Sequence, residues 1–159
     1  MLRFHLGTTR FTNETWGENH QYRKENLSDG ECIYGLPVEM PKAVRLGEPV
    51  YVIEMNISQG NKKIIGIGYV INYRYRDQYY RIYSNVGYNR CVYKGKKWVS
   101  REHLDNGIVE ALEKELFKGK GHMCRGQGVT RLKTSRLEED EEAVILYMKQ
   151  LFTSQIPTS

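Results

Sequence analysis

Apolar and polar positions divide this chain into three stretches of different period. The first, residues 1–46, holds no sustained pattern. Asn13, Asn19, Asn26, Ser28, Asp29 and Gly30 punctuate its opening thirty residues, where only TWGENHQYRKEN, from Thr15 to Asn26, reads as a short helix. Trp16 within it is costly to expose and is expected to pack or to line a site. Gly35, Pro37 and Pro41 break the segment from Cys32 to Val44 before regular structure extends.

The second stretch reads as strands. Gly47-Glu48-Pro49 is a turn, and VYVIEM, Val50 to Met55, is a short β-branched run expected to be a buried strand. After the turn Ser58–Asn61, a longer strand is predicted from Lys63 to Tyr75. Gly66 and Gly68 near its start mark a bulge, a bend or a close approach to the backbone. Arg76–Gln78 turns the chain and Tyr79–Ser84 returns it. Arg90–Lys94 and Lys97–Val99 read as a hairpin about Gly95. Five strands in fifty residues, on short links, fit an antiparallel barrel or a strongly curved sheet.

The third stretch has helical spacing. Leu104, Ile108, Leu112 and Leu116 recur every four residues behind Ser100 or Asp105 as cap. Val129–Leu132 suits one more strand. Ser135-Arg136-Leu137-Glu138 matches a capping box, and residues 135–153 read as a C-terminal amphipathic helix with Leu137, Val144, Ile145, Met148, Leu151 and Phe152 in its stripe. The stripe is expected to be core, with a protein partner as the alternative. The fold class expected is α+β: one domain over 1–159, a small curved antiparallel or mixed β-barrel with flanking helices and a C-terminal helix.

Charge adds a direction. The formal net charge is +5, which favours acidic partners. Basic residues dominate from Arg74 to Arg136, whereas Glu138 to Glu142 is an acidic block. No apolar window reaches membrane-spanning length, so no membrane partner is expected, and MLRFHLGTTRF lacks the marks of a secretory signal. Cys32, Cys91 and Cys124 are odd in number and widely spaced, which fits a reducing intracellular compartment, cytoplasm or nucleus. They also lack zinc-type spacing, so neither metal nor cofactor is expected.

The candidate chemistry lies in the tyrosines. Eight of the twelve fall between Tyr69 and Tyr93, with Arg74, Arg76, Arg81 and Arg90 among them. On an extended strand Tyr69, Ile71, Tyr73 and Tyr75 share a face, and on the return Tyr79, Arg81 and Tyr83 do. Rings beside guanidinium groups offer stacking faces together with phosphate contacts, a pairing suited to unpaired bases. Cross-strand tyrosine pairing around a core is the plainer alternative. A second basic stretch, FKGKGHMCRGQG from Phe117 to Gly128, surrounds glycine amides with Lys118, Lys120, His122 and Arg125, an arrangement able to hold phosphate. It has no Walker spacing. His5, His20, His103 and His122 are available as bases, yet no recognisable catalytic constellation accompanies them.

Three segments, in order, resemble the PUA-like superfamily, most closely EVE domains and their YTH and ASCH relatives. They are Thr15-Trp16-Gly17-Glu18-Asn19-His20-Gln21-Tyr22, Leu46-Gly47-Glu48-Pro49-Val50-Tyr51-Val52 and Ile64-Ile65-Gly66-Ile67-Gly68-Tyr69-Val70. The match covers residues 15 to 75, and Glu18 departs from the family's basic position. The resemblance implies a curved barrel whose aromatic pocket accepts an unpaired or modified base. By position Trp16, Asn19 and Tyr22 are the pocket candidates, to which the residue pattern adds Tyr69 and Arg81. The expected partner is RNA or DNA, single-stranded or modified. Two alternatives stand beside it: an ASCH-like nuclease, and a protein-interaction module acting through the acidic C-terminal helix.

Overall fold

The computed structural model describes residues 4–118 and 128–153, Lys118 through its backbone alone. The fold is α+β. Five strands form a mixed sheet in the order β6-β4-β3-β1-β7: β1 (His5–Phe11), β3 (Pro49–Asn56), β4 (Lys63–Ile71), β6 (Lys97–Ser100) and β7 (Thr130–Leu132). β1 runs parallel to β3, and the other pairings are antiparallel. A second, two-stranded ladder joins β2 (Cys32–Leu36) to β5 (Cys91–Gly95). Three helices complete the fold: α1 (Asn13–Asn26), α2 (Asn106–Glu113) and α3 (Glu141–Leu151). Among the described residues the strands close no barrel.

Strand alternation gives the large sheet two apolar faces. One carries Leu6, Tyr51, Ile53, Met55, Ile64, Ile67 and Val99 and is covered by α2 and α3. The other carries Phe11, Val50, Val52 and Val70 and is covered by the β2–β5 ladder, with Trp16 and Tyr22 of α1 packed at its margin. The buried reading of Val50–Met55 holds, as does the α2 stripe, with Asp105 as N-cap accepting from the Ile108 amide at 3.1 Å. Most of the predicted C-terminal stripe is core: Val144, Met148 and Leu151 of α3 are buried, with Leu137 before the helix and Phe152 after it, while Ile145 is half-buried.

Several expectations are corrected. The opening stretch is not irregular, for β1 is a central strand. Its Thr8 and Thr9 are buried, each hydroxyl donating to a backbone carbonyl, Thr130 O and Gly128 O respectively. Hydrogen bonding to a segment distant in sequence therefore hides a core strand behind a polar sequence. The segment Tyr79–Ser84 forms no strand. The Asn89 side chain stands in for a partner: its Oδ1 accepts from the amides of Ile82 and Tyr83, and its Nδ2 donates to Tyr83 O. β4 ends at Ile71, and beyond it only an isolated bridge, Tyr75 to Val92, continues the pairing. β5 and β6 do not pair with each other, since β5 joins β2 and β6 joins β4.

No capping box forms at Ser135. A 3₁₀ segment, Thr134–Asp140, occupies that stretch, and Glu138 turns to φ 52° before α3 begins. No helix among the described residues is long and apolar enough to cross a membrane. Cys32 and Cys91 are buried free thiols.

Candidate nucleic-acid interface

α1 starts on a capping box between Thr12 and Thr15. It then turns one unusual stripe inward: Trp16, Asn19 and Arg23 at i, i+3 and i+7. Asn19 is fully buried, its Nδ2 donating to Ile33 O and to the Tyr83 hydroxyl, both at 2.9 Å. Its Oδ1 is buried with no hydrogen-bond partner among the described residues. Trp16 is half-buried. His20 stacks on it at 5.5 Å, Trp98 at 6.3 Å, and Phe11 meets it edge-on. Tyr22 is half-buried beside the second core.

Of the residues expected to form an open base pocket, Asn19 thus faces inward, while Trp16, Tyr22 and Tyr69 are half-buried and Arg81 is exposed. Asn19 has no surface to offer a base, and the indole of Trp16 is taken up by protein. What fills the space between the rings is Arg23. Its guanidinium carbon lies 4.9 Å from the Trp16 ring centroid and 5.4 Å from those of Tyr34 and Trp98. Its Nη2 donates to Glu54 Oε2 at 2.9 Å. Glu54, fully buried on β3, also accepts from the Tyr34 hydroxyl at 2.5 Å and from Trp98 Nε1 at 3.0 Å. Burial works against the Arg23 charge, but Glu54, Tyr34 and Cys32 outweigh it and hold the guanidinium more firmly protonated than usual. Burial pushes the Tyr34 hydroxyl well above its ordinary value and the Cys32 thiol up to about 12. Burial, reinforced by Arg23 and Lys24, lowers the His20 pKa. Sequence reasoning missed Arg23, Glu54 and Trp98. The i, i+3, i+7 spacing was the one signal for Arg23, and Glu54 carried none beyond standing inside an apolar run.

Gly66 and Gly68 serve this network. A Cβ on Gly68 would lie 2.1 Å from the Tyr34 hydroxyl and 2.8 Å from Cys32 Sγ, so the close approach is by the protein's own side chains. A register shift between Glu54 and Met55 adds the bulge opposite Gly66.

The tyrosines of the middle stretch open a separate groove. Tyr69 and Ile71 of β4, with Tyr73 and Tyr75 beyond its end, line one side. Lys94 to Lys97, the end of β5 and start of β6, line the other. The groove has a volume of about 350 Å³ and no carboxylate among its described lining residues. Tyr73 is 55% exposed and Tyr75 39%. Lys94 Nζ lies 4.5 Å from the Tyr75 ring centroid and 5.1 Å from that of Tyr80, and Lys97 Nζ lies 5.9 Å from that of Tyr69. Tyr69 is half-buried, packed edge-on against Tyr51 and Phe152. The shared face of Tyr69, Ile71, Tyr73 and Tyr75 is therefore present, but its cations are lysines rather than the neighbouring arginines. Arg74 binds Glu39 and the Arg90 carbonyl, and exposed Arg81 lines neither this groove nor the cavity described next.

That cavity, of about 330 Å³, lies where β1 and β2 end and α1 begins. Thr9, Arg10, Phe11, Thr12, Thr15, Tyr34 to Pro37, Ile57, Tyr83, Tyr88 and Gly128 line it. The phosphate candidates Lys120, His122 and Arg125 lie outside the described residues, as does the side chain of Lys118. Among the described residues no three His, Cys, Asp or Glu side chains gather as a metal site. Comparison of the chain with known protein families, with curated proteins and with solved structures finds no match.

Proposed function

We propose that this protein binds single-stranded nucleic acid, with the Tyr69–Tyr75 and Lys94–Lys97 groove as its described contact surface. The observation that carries the reading is the pairing of exposed tyrosine rings with three lysines in one groove whose described lining residues include no carboxylate. Stacking on an exposed ring contributes about 1–3 kcal/mol per base and tolerates any base, because every base has a π-face. Ammonium groups beside the rings neutralise the phosphates that travel with stacked bases. A duplex hides its base faces and gains only the charge contribution, so the groove favours unpaired strands.

The PUA-like reading is part of the same proposal. Its support is the ladder of β2 and β5 packed on the mixed sheet, with the Tyr75–Val92 bridge linking the chain beyond β4 to β5, as in a strongly curved, incompletely closed β-structure. A reader of modified bases would use the same groove for the flanking strand.

Salt titration of oligonucleotide binding tests the proposal. For a single strand, the slope of log affinity against log salt falls in magnitude by about 0.7 for each phosphate contact removed. Lys96→Ala and Lys97→Ala are each expected to lower it by that amount, and the double variant by twice as much. A slope unmoved by both substitutions would overturn the assignment of the groove.

A further inference from the structure

We propose that Tyr79 and Arg81 form a second stacking and charge subsite for the same bound strand, beside the Tyr75 end of the groove. The inference rests on the proposed function and narrows its substrate class to single strands long enough to occupy both places.

Tyr79 is 60% exposed, and among the described residues its ring has no aromatic or cationic partner. Tyr80 and Ile82 are buried, so Tyr79 and Arg81 share the outer side of this segment. The arginines before it are committed: Arg74 and Arg76 both pair with Glu39. Arg81 is exposed, and its side chain has no hydrogen bond or ion pair among the described residues. Asp77, the acidic residue of the same turn, accepts from the Tyr80 hydroxyl at 2.5 Å. An open ring and an uncommitted guanidinium therefore stand two residues apart, one suited to a base and the other to phosphate oxygens.

The exposed ring is held from beneath. Asn89 is buried, and its Nδ2 donates to the Tyr79 hydroxyl at 3.0 Å and to Tyr83 O at 2.8 Å. Its Oδ1 accepts from the amides of Ile82 and Tyr83. These bonds use the full capacity of the side-chain amide. One residue thus fixes both the backbone that carries Arg81 and the tip of the Tyr79 ring. A ring already fixed loses little freedom when a base stacks on it.

The subsite adjoins the groove through Tyr80. Its buried ring meets Tyr75 edge-on at 6.4 Å, and Lys94 Nζ lies 4.5 Å from the Tyr75 centroid and 5.1 Å from that of Tyr80. Tyr80 offers no face of its own. The Lys94 ammonium stands at the seam, where a phosphate would cross from the groove toward Tyr79.

Fluorescence anisotropy with oligothymidylate and oligouridylate of about three and about twelve nucleotides tests the subsite, the first too short and the second long enough for a typical single-strand site. Wild type is expected to bind the longer strands more tightly. Tyr79→Ala is expected to lose at least about fivefold of that advantage. Tyr79→Phe, which keeps the ring without its anchor, is expected to fall between the two. Arg81→Ala is expected to lower the salt slope by about 0.7 on the longer strand. An abasic strand of the same length keeps the charge but offers no base, and is expected to bind wild type and Tyr79→Ala alike. Thermal midpoints confirm that each variant is folded.

Failure of the groove and failure of the subsite read differently. Affinity that responds to Lys96→Ala/Lys97→Ala but keeps its whole length advantage in Tyr79→Ala and Arg81→Ala would overturn the subsite and leave the groove. A response confined to Tyr79→Ala and Arg81→Ala would overturn the groove and, with it, the shared path. No binding of either long strand would overturn both. Tyr79→Phe as weak as Tyr79→Ala would also overturn the subsite, because the hydroxyl and not the ring face would then make the contact.

Discussion

Arg23 and Glu54 meet at 2.9 Å with side chains only 7% and 0% exposed, an ion pair closed inside three aromatic rings. Such a pair is costly to desolvate, and its mutual attraction offsets that cost only while both partners remain. Here Tyr34 and Trp98 add two further hydrogen bonds to the carboxylate. The arrangement locks the register between α1, β2, β3 and β6, since each contributes one member. Glu54→Leu is expected to destabilise the protein by about 3–5 kcal/mol, because it leaves a buried guanidinium unpaired. Arg23→Leu/Glu54→Leu is expected to cost less than the sum of the single variants. Urea unfolding of the four proteins in a double-mutant cycle measures the coupling.

The glycines offer a paired comparison. Gly68→Ala places a methyl group 2.1 Å from the Tyr34 hydroxyl, which must leave Glu54 to make room. A loss of about 1–3 kcal/mol from overpacking is expected, with the broken hydrogen bond added to it. Gly17→Ala, in α1 with nothing within 4 Å of the new Cβ, is expected to stabilise by about 1 kcal/mol through helix propensity. Chemical denaturation midpoints of the two variants should move in opposite directions.

Alkaline pH probes the same interior. Burial raises the Cys32 thiol from its ordinary 9.0 to about 12. Between these values the unfolded chain has lost a proton that the folded chain keeps, so unfolding is favoured as pH rises. The stability tied to this proton is whole below pH 9 and gone once the folded thiol itself ionises near 12. Within that window the slope approaches about 1.4 kcal/mol lost per pH unit for the group. Burial also raises Tyr34, whose loss of stability overlaps the same range. Denaturant midpoints recorded from pH 8 upward on wild type and Cys32→Ala should separate the thiol's share, and a parallel pair of curves would count against it.

Binding at the groove should divide along stacking and charge. Tyr73→Ala and Tyr75→Ala are each expected to cost about 1–3 kcal/mol in affinity for an unstructured oligonucleotide, with the salt slope preserved. Tyr75→Phe keeps the ring and is expected to bind as wild type. Fluorescence anisotropy at two salt concentrations distinguishes these outcomes. A loss in Tyr75→Phe equal to that in Tyr75→Ala would show that the hydroxyl, not the ring, makes the contact.

Much of the core could be read directly from residue order. Val50–Met55 declares itself as a short β-branched run buried on both faces, and the stripes Leu104, Ile108, Leu112 and Leu137, Val144, Met148 declare themselves because burial of one face imposes a period on the chain. The shared face of Tyr69, Ile71, Tyr73 and Tyr75 was legible from the alternation of an extended chain, although β4 itself ends at Ile71. Local pattern did not reveal β1, since Thr8 and Thr9 satisfy their hydroxyls on backbone carbonyls of a segment more than a hundred positions away. Nor did it reveal that Tyr79–Ser84 would bond to the Asn89 side chain instead of a strand.

The candidate site divides along the same line. Sequence by itself determined which residue types exist to stack and to neutralise, and how they alternate on β4. Tertiary structure alone decided that Trp16 and Asn19 turn inward around Arg23, that Lys94 to Lys97 rather than the arginines flank the exposed rings, and that Tyr34 and Tyr83 wall a cavity. The physical reason is that a buried charge needs its counter-charge and hydrogen-bond partners at fixed distances. Glu54, Trp98 and Tyr34 reach Arg23 from three different strands, and no local period records that meeting.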